Sequence, residues 1–165
     1  VREEIEVAVE DTDFTFPSQI SIGAGIGKPK KWFVGLEYVN QKISNLTNRT
    51  FELENITYTD ATKYKIGGFY IPQYNSLTSY YKRIVYRAGI RFEETGINLK
   101  GQDITEFGIS FGVGIPVGRL FSNVNVGFEI GKRGTTDFGL IQENFFNTFI
   151  SLSFNDRWFD KRYLD

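Results

Sequence analysis

The 165-residue chain has no cysteine, no histidine and no methionine, and only 4 prolines. Without cysteine there is neither a disulfide framework nor a thiolate nucleophile, and without histidine the usual transition-metal ligands and histidine-assisted hydrolysis are also excluded. No serine constellation for acyl transfer can be assembled, so the chain reads as a non-enzyme with no cofactor. Calcium at Asp11 and Asp13 lacks the ligand spacing such a site needs. No apolar run approaches the roughly 20 residues of a helical membrane span, and the mean hydropathy is -0.27. Charge of one sign is missing too: 19 Lys and Arg stand against 20 Asp and Glu, scattered among one another, which excludes the basic footprint of a nucleic-acid binder. A chain that starts at Val1 and contains no methionine is expected to be processed or partial, with any signal peptide upstream.

What is abundant is glycine, 17 residues, and aromatics, with 16 Phe, 9 Tyr and 2 Trp. Many glycines and aromatics among few helix formers point to β-hairpins. Strict alternation supports this. Ile109, Phe111, Val113 and Ile115 oppose Gly108, Ser110, Gly112 and Gly114, and the next run sets Val124, Val126, Phe128 and Ile130 against Asn125, Gly127 and Glu129. A period of two over eight or more residues is a β-strand with one apolar face. The same pattern recurs in about eight stretches, roughly 3–10, 18–27, 31–40, 63–71, 81–93, 105–115, 123–132 and 144–155, each near the length of a tilted membrane strand. "GAGIG" superficially resembles a phosphate loop, but it lies inside a strand and precedes "KPKK" and another strand, where a dinucleotide site needs a helix.

A soluble sandwich alternates as well, but its water-facing side rarely carries so many glycines. In a closed barrel, small inward residues leave room for long charged side chains. The fold class expected is therefore all-β, a transmembrane antiparallel up-and-down β-barrel, with 1–155 as strands and loops and 156–165 as a periplasmic tail. Counting back from the last strand, 132–143, 94–104, 40–62 and 11–17 are expected as outer loops, and 116–122, 72–80 and 28–30 as periplasmic turns. Trp32, Tyr38, Tyr70, Tyr80, Tyr81, Phe92, Phe107 and Phe154 are placed as interfacial girdles would be. The three sequons "NLT", "NRT" and "NIT" in the longest loop carry no meaning in a bacterial outer membrane, the expected location.

The stretches "FPSQISIGAGIGKPKKWFVGLEYV", "KYKIGGFYIPQYNS", "YYKRIVYRAGIRFEETG" and "EFGISFGVGIPVG" resemble the C-terminal part of outer-membrane proteins of the long-chain fatty acid transporter (FadL-like) type. The resemblance implies a larger barrel of about fourteen strands with an internal plug, of which only the C-terminal strands are here, and passive transport of hydrophobic compounds. Candidate lumen-lining residues are Glu37, Lys65, Arg87, Arg91, Glu93, Glu106 and Glu129, with Arg87 and Arg91 as anion partners. They line a polar conduit, or they form an ion-pair network that fills the interior and fixes register. Phe33, Phe69, Phe145 and Phe149 form an acyl slot or pack against a plug. Two other functions stand beside transport: a non-transporting barrel subunit of an outer-membrane protein-insertion or secretion complex, and a complete eight-strand structural or adhesion barrel. The expected partners are outer-membrane lipid, hydrophobic small molecules and other outer-membrane subunits, and no nucleic acid.

Overall fold

The computed structural model describes residues 16–45, 56–117 and 122–153. The alternating segments become strands: β1 (Gln19–Lys28), β2 (Trp32–Gln41), β3 (Ile56–Tyr58), β4 (Ala61–Tyr70), β5 (Val85–Leu99), β6 (Gln102–Val117), β7 (Ser122–Arg133) and β8 (Glu143–Ser153). All eight lie in one antiparallel sheet, in the order β1-β2-β4-β5-β6-β7-β8, with β3 added to β5. The fold is all-β, up-and-down and barrel-like, and no α-helix occurs among the described residues. The expected first strand at 3–10, the tail 156–165 and the acids Asp11 and Asp13 lie outside the described residues.

Register places each apolar residue opposite another. Ala24, Leu36, Ile66, Ile90, Ile109, Ile130 and Phe146 form one row across the seven long strands. A one-residue slip of any strand would invert its faces, so this pattern specifies the pairing. Among the described residues no second sheet covers the row. Among the described residues the only buried hydrophobic side chains are Ala61 and Ile71, whereas Leu36, Ile66 and Ile150 are 59%, 59% and 73% exposed.

Two connections differ from the sequence reading. The stretch 94–104, expected as a loop, is the extension of the β5–β6 hairpin, closed by Lys100 and Gly101 at φ 52 and 81. Two consecutive left-handed residues make the two-residue turn whose twist matches the flanking strands. Within the hairpin, register shifts between Glu94 and Asn98, around Gly96 at φ 72. A Cβ on Gly96 would lie 2.6 Å from the Thr59 carbonyl, and the Thr59 N–H donates to the Gly96 carbonyl at 2.8 Å. Past this bulge β3, with three residues, replaces β4 as the partner of β5. The other difference is at 72–80: there the chain takes the whole of 71–84 to reach β5, including a 3-10 turn at Tyr80–Arg83. The β1–β2 connection at 29–31 is short, as expected, with a Lys31 N–H to Lys28 carbonyl bond of 3.1 Å.

Candidate functional site

The polar face of the sheet carries the ion pairs and the one buried charged side chain among the described residues, Glu106. Lys63, Glu93, Glu106, Arg133 and Glu143 succeed one another across β4 to β8, and Glu37, Lys65 and Arg91 form the neighbouring row. Arg91 is the hub. Its guanidinium meets Glu93 at 3.0 Å, Glu106 at 2.5 Å and Glu129 at 2.9 Å. Lys63 adds an ion pair to Glu93 at 2.9 Å, and Arg133 pairs with Glu106, whose side chain is only 4% exposed. A carboxylate that enclosed needs charged partners, and it has two. Glu37 pairs with Lys65 at 3.0 Å and accepts from the Ser21 hydroxyl at 2.8 Å, while the Asn147 amide reaches Glu129 at 3.4 Å. Polar contacts thus run from β1 to β8.

The glycines explain how the belt crosses strands. Arg91 on β5 and Glu129 on β7 meet over β6 at Gly108, where a Cβ would lie 2.6 Å from Glu129 Oε1. Arg87 reaches Asn125 in the same way, at 3.0 Å, where a Cβ on Gly114 would lie 2.8 Å from the guanidinium. The Phe33 ring lies over Gly25 and Gly35, and the Phe145 ring over Gly131.

Of the sequence candidates, Arg91, Glu93, Glu106 and Glu129 come together in one cluster, and Glu37 and Lys65 form a separate pair. Arg87 stands apart with Asn125 as its side-chain partner. The four phenylalanines do not assemble into one slot: among the described residues a ring contact joins Phe33 to Phe69, with centroids 6.1 Å apart, while Phe145 and Phe149 lie on β8. Lys63 and Arg133 escaped the sequence reading. Their parity carried the signal, since Lys63 is two residues from Lys65 and Arg133 four from Glu129, on the same face.

The opposite, apolar face is banded. Tyr38, Tyr64, Phe92 and Phe107 form a row near one end, with Tyr38 and Tyr64 centroids 5.2 Å apart. Trp32, Tyr70 and Tyr86 form a row near the other end. Beyond the first row the same face turns polar, with Asn40, Thr62, Glu94 and Thr105 side by side and a 2.6 Å bond from the Thr62 hydroxyl to Glu94. The two aromatic rows are separated by six residue steps, roughly 20 Å along a strand, which is comparable with the apolar band of about 25 Å on outer-membrane barrels.

A family model, BamG, matches residues 1–165, the whole chain. The chain belongs to the BamG family. That family is associated with the outer-membrane protein-insertion complex, so the protein's place is the bacterial outer membrane. The match overturns the fatty-acid-transporter resemblance, and with it the basis for reading the chain as a conduit for hydrophobic compounds. What misled is that strand and turn chemistry is shared by unrelated outer-membrane barrels: alternating faces, glycine spacing and aromatic rows follow from the bilayer rather than from ancestry. Comparisons with curated proteins and with solved structures found no match. Membership in the BamG family implies association with other subunits of an outer-membrane complex.

Proposed function

We propose that this protein is a non-transporting, membrane-embedded barrel-wall subunit of the outer-membrane protein-insertion complex, acting through contacts with other subunits. The family match over the full chain is the observation that carries this reading. Two structural features support it. The apolar face spans seven long strands with no protein layer over it among the described residues, and an uncovered apolar surface of that extent marks a membrane or a partner interface. On the other face, Arg91, the strongest anion-binding candidate, is already held by three carboxylates. Its charge is used internally, so the belt serves to lock strand register rather than to capture a solute. No catalytic group is assigned.

The test is affinity purification of the tagged protein from native outer membranes, together with depletion of the protein in the living cell. Co-purification of the insertion machinery and falling levels of several unrelated outer-membrane barrels are expected. Purification without those subunits, with barrel levels unchanged on depletion, would refute the proposal.

A further inference from the structure

The lysines that look scattered in sequence are gathered by the fold. The turn at 29–31 and the connection 71–84 lie at the same end of the sheet and are tied together by the Ile71 N–H, which donates to the Lys31 carbonyl at 2.7 Å, while inside 71–84 the Gln73 N–H donates to the Lys82 carbonyl at 2.8 Å. Lys28, Lys30, Lys31, Lys82 and Arg83 therefore share one rim. Neither connection contains Asp or Glu, and none of the five cations has an ion pair among the described residues. Lys30 lies 4.9 Å over the Tyr74 ring and Arg83 4.9 Å over the Tyr80 ring, and Arg83 Nε is buried with no hydrogen-bond partner. The opposite rim is mixed, with Glu94, Asp103, Asp137 and Glu143 among its cations.

Next to the cationic rim the apolar face is dented. Gly68 and Ala88 stand side by side in a row whose other members are Ile26, Val34, Phe111, Phe128 and Thr148. An open trough of about 770 Å³ is lined by both Gly68 and Ala88 and has Tyr70 and Tyr86 on its rim side. The Tyr86 hydroxyl donates to the Tyr81 carbonyl at 3.2 Å, fixing that ring beneath the basic connection.

We propose that this rim and trough form a binding site for an anionic glycerophospholipid, with its phosphate at the Lys28–Lys31 turn and Arg83 and an acyl chain along Gly68 and Ala88. An occupant that is anionic at one end and wholly apolar beyond it matches both halves, and unpaired cations beside an aromatic row are how membrane proteins hold anionic headgroups. The inference rests on the membrane-embedded reading above. Because the three-residue β1–β2 turn sits at this rim, the lipid is a phospholipid of the periplasmic leaflet.

The test reconstitutes the full chain into vesicles of equal phosphatidylglycerol and phosphatidylcholine, and reads the lipids retained by native mass spectrometry. Phosphatidylglycerol should be enriched, and less so at high salt. Each cation removed in the triple variant Lys28→Gln, Lys30→Gln, Lys31→Gln should weaken retention by up to about fivefold. Ala88→Phe should weaken it with the charges intact, while Lys100→Gln at the opposite rim should leave it unchanged. Equal retention of both lipids by the native protein overturns the site, as does preference for lipopolysaccharide when it is added to the same vesicles in an amount equal to phosphatidylglycerol. Loss of a partner subunit from the triple variant purified from native outer membranes, with lipid retention in vesicles unchanged, also overturns it and reassigns the rim to an acidic protein. Failure of the native chain to enter vesicles at all would instead sink the membrane-embedded reading.

Discussion

Two glycines on neighbouring strands separate two roles of a missing side chain. At Gly108 an added methyl meets Glu129 Oε1 at 2.6 Å, the far end of a flexible side chain. At Gly131 it meets the Phe107 carbonyl and the Phe145 ring, of which the carbonyl cannot swing away. Gly108→Ala should cost about 1–3 kcal/mol by displacing Glu129 from Arg91, and almost nothing in a Glu129→Ala background. Gly131→Ala should cost more in either background. Urea unfolding in detergent gives both comparisons, and equal costs for Gly108→Ala in the two backgrounds would show that the ion pair does not need the gap. Arg91 and Lys65 differ as sharply. Arg91 is 24% exposed and holds three carboxylates, so Arg91→Met should cost about 3–5 kcal/mol. Lys65 and Glu37 are each about 40% exposed, so solvent screening makes Lys65→Met much the milder of the two substitutions.

Among the elements, the long strands were legible and their elaborations were not. Alternation located seven of them to within a few residues, because one face is apolar along most of each strand and a period of two leaves only one register that keeps it so. Ile56–Tyr58 is too short to show any period, and it becomes a strand only because β4 begins at Ala61 and leaves the far part of β5 unpaired on that side. The extension of β5 was hidden for another reason: between Glu94 and Asn98 three residues of β5 stand opposite one of β6, and the left-handed Gly96 among them resembles a strand's end in sequence. Site residues were legible as a face but not as partners, since the meeting of Arg91 with Glu129 depends on the register of the strand between them. The hairpin tip also carries a prediction. Lys100 adopts φ 52 where Asn is preferred, so Lys100→Asn should gain a few tenths of a kcal/mol, whereas Gly101→Ala, at φ 81, should lose about 1 kcal/mol. Amide exchange across 97–104 would register both changes, and slower exchange in Gly101→Ala would contradict the turn assignment.

For the whole molecule, an added charge should act through different physics on the apolar band and on the charged belt. Ile90→Lys places a charge in the middle of the seven-strand apolar row and should destabilise the protein in bilayers by about 2–4 kcal/mol. Ser110→Glu, on the polar face beside Glu129, should act through like-charge repulsion and weaken as salt rises, which the Ile90 substitution should not do. Unfolding in lipid at two ionic strengths separates them, and a salt-sensitive Ile90→Lys would mean that its face meets water.

The sheet's outer strands, β1 and β8, pair on one side only among the described residues: β1 with β2, and β8 with β7. Ladder groups left bare in hydrocarbon cost several kcal/mol each, so within a bilayer both margins are completed by some strand. Whatever supplies it joins the cooperative unit. If it is more of the same chain, the melting temperature is a constant of the molecule. If it is another subunit, the melting temperature rises with the concentration of that subunit, and thermal stability becomes a titration of assembly rather than a property of the fold.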